Sequence, residues 1–136
     1  MPSLRAHFEA RAAALTDCAT LEVTERDGAT TLTLRPRNSG AVGVVLYLSP
    51  GEIGTVTFDD PASAPAELGD AIEEDVRAID SFIDVAVEGR STAFHAGRGG
   101  CVEVRDSVGA SRTWNHAWPW PGWKWRAQRI DYLSYR

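Results

Sequence analysis

The stretch CATLEVTERDGATTLTLRPR, residues 18–37, decides how the chain is read. Asp27-Gly28 supplies the two positive φ angles that a type I′ turn demands, so the flanking residues form a tight hairpin. Pairing outward from that turn sets Val23 opposite Leu32 and Leu21 opposite Leu34. These four side chains share one face, and Glu22, Thr24, Thr31 and Thr33 share the other. Strict alternation of this kind describes an antiparallel ribbon with one face buried and one wet.

The same grammar recurs on either side. GVVLYLSPGEIGTVTF (43–58) reads as a second hairpin around Pro50-Gly51, with Val44, Leu46 and Leu48 alternating against Val45 and Tyr47. Upstream, Ser3 can cap a helix whose apolar positions Leu4, Phe8, Ala12 and Leu15 fall at helical spacing. DDPASAP (59–65) is a linker of turn formers, and a long helix is expected from about Pro65 to about Val87. STAFH, CVEVRD and ASRTW then read as a three-stranded meander, with RIDYLSYR as a possible further strand. The expected fold is therefore α+β: a single two-layer domain over residues 1–136. An antiparallel sheet of hairpins, in the order α-ββββ-α-βββ, carries two helices packed on one face. The expected common core joins Leu21, Val23, Leu32 and Leu34 to Leu68, Ile72, Ile79 and Phe82.

Composition narrows the function classes. The net charge of −5 argues against nucleic acid as a partner. No run approaches the length of a membrane span, and the charged N-terminus lacks the apolar core of a signal peptide, so the expected address is cytoplasmic. Cys18 and Cys101 stand far apart without a metal-ligand spacing, which fits two reduced, buried thiols. Charge is unevenly spread. Residues 59–88 carry ten acids against Arg77, whereas residues 89–136 carry eight bases against Glu103, Asp106 and Asp131. Either the two segments neutralise each other, or an acidic helix face is held out towards a basic partner. In the second case Glu67, Asp70, Glu74 and Asp84 are the partner-binding residues.

Two features could carry chemistry. On the long helix, Asp75 falls within the apolar seam of Leu68, Ile72, Ile79, Phe82 and Ala86, which marks it as a buried polar residue paired with an arginine of the sheet. WNHAWPWPGWKW (114–125) holds all five tryptophans. Proline at the first position of a Pro121-Gly122 turn disfavours a tight hairpin, so a broad bend is expected. Trp118 and Trp120 then point to one side, as do Trp123 and Trp125. The four rings either seal a sheet face or form a ledge for a peptide, protein or sugar. His95 and His116 sit at strand ends, where with Asp75 they could line a Trp-walled cleft of a small-molecule or sugar-binding domain or an enzyme. His7 lies near the stripe of the first helix. No nucleophile elbow, zinc motif, Walker loop or dinucleotide fingerprint is present, and GRGG (97–100) reads as a turn. No cofactor and no metal is called for.

In size, acidity, α+β order and its Trp/Tyr-rich end WPWPGWKWRAQRIDYLSYR, the chain resembles the immunity proteins of bacterial polymorphic-toxin systems. That resemblance implies a non-catalytic protein-binding module that masks a basic toxin, one to one and without a cofactor. The basic C-terminal third departs from it, since such a surface would repel a basic toxin unless turned away. The chain is also similar to secretion chaperones, which implies a homodimer.

Overall fold

A computed structural model describes residues 3–50, 53–69, 72–96, 99–105, 111–117 and 127–136. Helix α1 (Leu4–Ala13) opens the chain, capped as expected by the Ser3 side chain, which accepts from the Ala6 N–H. Strands β1 (Ala19–Arg26) and β2 (Ala29–Pro36) form the hairpin. Asp27 (φ 53°) and Gly28 (φ 81°) both adopt positive φ, and the register places Val23 opposite Leu32 and Leu21 opposite Leu34. Strands β3 (Val44–Leu48) and β4 (Gly54–Phe58) extend the sheet, with Leu46 facing Leu32 on one side and Val56 on the other.

The chain is α+β, and three details differ from the sequence reading. First, residues 66–68 are not helical. They form a fifth strand, β5 (Ala66–Leu68), paired with β4, and helix α2 begins only at Ile72 and runs to Glu88. Gly69, at φ 127°, lies where L side chains rarely go and no right-handed helix can pass. The free edge of β4 takes the three residues before it, and Leu68 is buried from a strand, not from a helix.

Second, the strands build two sheets where one was expected. The first has the order β1-β2-β3-β4-β5. The second consists of β6 (Ser91–Ala96), β7 (Gly99–Arg105), β8 (Ser111–Ala117) and β9 (Gln128–Asp131), in the order β8-β7-β6-β9. The expected terminal strand is thus present, and the full order is α-βββββ-α-ββββ. Alternation specifies which face of a strand is buried, but it is silent on which edge a strand joins.

Third, Val23 is 43% exposed. It shares its face with Leu32 and Leu34, which are fully buried, but it sits on the outermost strand, where no further strand flanks it among the described residues.

Both helices lie against the five-stranded sheet and against each other, α1 over β1 and β2, and α2 over β3 and β4. Phe8, Leu32, Leu34, Val44, Leu46, Val56, Ile79 and Phe82 form the centre of one core, which Leu68 shares and against which Leu21 and Ile72 pack from its margin. Ala93, Val102 and Val104 of the second sheet belong to the same core. The C-terminal segment ties the layers: the Tyr135 hydroxyl donates to the Val42 carbonyl at 2.8 Å, and the Leu133 N–H donates to Gly40. Cys18 and Cys101 are both buried, and neither forms a disulfide. Among the described residues, no helix is long and apolar enough to cross a membrane.

Candidate functional site

Asp75 is 7% exposed, as its place in the seam requires, but its partner is not an arginine. Both carboxylate oxygens accept from the backbone N–H of Gly69, each at 3.1 Å. The buried carboxylate thereby ties Gly69, just after β5, to the first turn of α2. A carboxylate in the first turn also meets the positive end of the helix dipole. The arginine was expected because a buried acid needs a partner, and a backbone amide meets that need equally well.

The expected acidic face separates into parts. Glu67 is exposed on β5, Glu74 is exposed on the first turn of α2, and Asp70 lies outside the described residues. Asp84, at the far end of the helix, is bound to Arg11 of α1. Asp80 accepts from Arg11 at 2.7 Å and lies 2.7 Å from His7 Nε2. Partial burial opposes the charge of Arg11, but its bonds to Asp84 and then Asp80 outweigh that, and its pKa is raised overall. Partners for this end of the helix thus come from α1, with His7 among them, while Glu88 is held by Arg90 of the basic C-terminal third. Glu67, Glu73 and Glu74 remain exposed without a salt bridge among the described residues.

A second cluster joins the two sheets. The Asp60 side chain is 1% exposed, and its carboxylate accepts from the Ala62 N–H at 2.8 Å and from the Tyr132 hydroxyl. His95 Nε2 lies 2.9 Å and 3.1 Å from its two oxygens. Burial first, and then the bond to Asp60, push the Tyr132 phenol up from its ordinary value. His95 therefore pairs with Asp60, not with Asp75. The sequence offered Asp60 only as part of a linker, because its partners lie 35 and 72 positions away. His116 lies on β8 at the register shift, between residues paired with Gly100 and Cys101. Trp118, Trp120, Trp123 and Trp125 lie outside the described residues, so neither reading of the ribbon is decided.

The third feature is a row of side chains on the five-stranded sheet. Opposite the helices, register aligns Thr24, Thr31, Tyr47, Thr55 and Glu67 in one row across all five strands. The next row is Glu22, Thr33, Val45 and Thr57. Tyr47, at the middle of its row, is 43% exposed, and Glu22 is held by Arg35 at 2.8 Å. The helices occupy the other face; on this one Glu22, Thr24, Tyr47 and Glu67 are exposed, and Ser63 of the 59–65 segment bonds Thr57 at 2.9 Å. Among the described residues, no group of three His, Cys, Asp or Glu side chains could hold a metal.

Among the described residues, architecture and surface thus define a two-helix, two-sheet α+β fold with an exposed row of side chains on the sheet face opposite the helices. No family model, no curated protein and no solved structure matches the chain.

Proposed function

We propose that the chain is a non-catalytic protein-binding module, and that the face of the five-stranded sheet opposite the helices is its docking surface. The observation that carries this reading is the row Thr24–Thr31–Tyr47–Thr55–Glu67, a continuous strip across five strands with an exposed aromatic at its centre. A small ligand needs a concave site that buries most of its surface, whereas an exposed strip spanning five strands suits a macromolecule. Tyrosine anchors such interfaces because a large rigid ring is buried at low entropic cost. Glu67 closes the row, Glu73 and Glu74 are exposed on the first turn of α2, and this unpaired acidic charge favours a basic partner. The resemblance to immunity proteins makes a basic toxin domain the partner of choice, masked one to one.

The test is co-purification of the tagged chain with the product of its neighbouring gene. Tyr47→Arg should abolish capture, and Glu67→Lys with Glu74→Lys should slow association by about one to three decades in low salt. If the partner is held equally well by Tyr47→Arg, the sheet face is not the docking surface.

A second reading rests on Asp60 and His95. A buried carboxylate that orients an imidazole is an acid–base arrangement, and His95 Nδ1 has no protein partner among the described residues. This favours a small-molecule site at the junction of the sheets. Small-molecule screening by NMR, with His95→Gln as control, would detect it; hits that persist in the variant count against this site.

A further inference from the structure

Strand β1 is an edge strand, and with eight residues it is the longest edge among the described strands. Its outer backbone groups are fixed by the turn. A two-residue type I′ loop makes Arg26 and Ala29 a hydrogen-bonded pair, and such pairs alternate along an antiparallel ladder. Thr24 and Glu22 therefore bond to β2, and Leu21, Val23 and Glu25 turn their N–H and C=O groups away from the sheet. Natural proteins guard an edge of this length with proline, lysine, bulges or a covering segment. Residues 19–26 contain neither proline nor lysine, β1 pairs with β2 without a register shift, and Thr20 and residues 22–26 are exposed. The charges on the edge, Glu22, Glu25 and Arg26, are of both signs, and Glu22 and Glu25 are each held by an arginine of the same chain, Arg35 and Arg5.

We infer that a second copy of this chain adds its own β1 to this edge, antiparallel, about a two-fold axis at Val23. The sequence selects that register. With Val23 opposite Val23, Leu21 faces Glu25, Glu22 faces Thr24, and Thr20 faces Arg26. Every outward N–H of Leu21, Val23 and Glu25 then finds a carbonyl. Val23 meets its copy and lies diagonal to the other Leu21, so the exposed Val23 side chains become covered. Arg26, whose side chain is 88% exposed, lies diagonal to Glu22 of the other copy, within reach of a long side chain. A shift of the axis to Glu22 would oppose two like charges. A shift to Thr24 would draw Asp27 and the turn into the ladder and leave Val23 against Glu25. The axis at Val23 joins two five-stranded sheets into one, with the helices of both copies on the same side. It leaves the face with Tyr47 free, so dimer formation and partner binding can fail independently.

The test is the mass of the purified chain by light scattering at about 5–200 μM, together with site-directed crosslinking. The expected result is a concentration-dependent dimer. Val23→Pro removes only an outward N–H and should raise the dimer dissociation constant at least about tenfold, with an unchanged circular dichroism spectrum. Should the proline disturb the strand, Val23→Lys sets like charges on the axis and is expected to have the same effect. Under oxidation Val23→Cys should crosslink to its copy, because paired Cα atoms about 5.5 Å apart suit a disulfide. Glu25→Cys, paired with Leu21, should not. A monomer at about 200 μM, a dimer indifferent to both Val23 variants, or crosslinking through Glu25→Cys in place of Val23→Cys would each overturn the inference.

Discussion

Asp75 is held by one backbone amide, which sets the scale of its substitutions. Asp75→Asn keeps one acceptor for the Gly69 N–H and should cost about 1–2 kcal/mol, with Asp75→Ala costing more. Glu74→Gln, on the exposed first turn, should change stability by less than about 0.5 kcal/mol. Urea melts of the three variants check this. An equal effect of Asp75→Asn and Glu74→Gln would show that the tie to Gly69 contributes nothing. A pH effect arises at Tyr135, 4% exposed, whose phenol burial pushes upward from its ordinary value of 10.0. The folded state then holds the phenolic proton more tightly than the unfolded chain does. Its contribution is complete below pH 10 and declines above it, by up to about 1.4 kcal/mol per pH unit. Tyr132 acts in the same direction, through burial first and then its bond to Asp60. Urea midpoints should therefore fall above pH 10, and Tyr135→Phe should flatten that fall.

The elements divide according to how local their causes are. The β1–β2 hairpin was legible to the exact pair, because turn chemistry and period-two alternation lie within twenty residues of each other. The cap and apolar stripe of α1 were legible for the same reason. The first turns of the expected second helix were misread because Ala66–Leu68 has no local preference strong enough to resist the free edge of β4. Gly69 carried the correct signal, since a glycine ahead of an apolar helical pattern marks a break. The exposure of Val23 could not be read either, because alternation assigns a face and says nothing about which strand lies outermost. Leu32 and Val23 sit opposite each other on that face and make the contrast measurable. Leu32→Ala should cost ~2–5 kcal/mol as a fully buried truncation, and Val23→Ala in the monomer should cost far less. Equal losses in denaturant melts would place both side chains in the core.

At the scale of the whole molecule, the two sheets share a core but, among the described residues, no strand pairing, so their relative placement rests on side chains and on the C-terminal segment. Asp60 is the polar part of that junction. It follows β4 of one sheet and binds His95 on β6 of the other, along with Tyr132 just beyond β9. None of this was visible in DDPASAP, which shows only turn formers; a buried acid there acquires meaning once two distant strands are brought beside it. Asp60→Ala removes the acceptor for the Ala62 N–H, the Tyr132 hydroxyl and His95 together. It should destabilise by about 3–5 kcal/mol, the range for breaking a buried charged network. Tyr132→Phe alone removes one donor and should cost about 1–2 kcal/mol. If the carboxylate acts through Tyr132, the double variant will lose less than the sum of the singles, since removing either partner already breaks their bond. Hydrogen exchange gives the spatial readout. In Asp60→Ala, amides of β6 and β9 should lose protection while β2 and β3, deep in the other sheet, retain it. Uniform loss in both sheets would mean that Asp60 supports the fold as a whole, and not the joint between its halves.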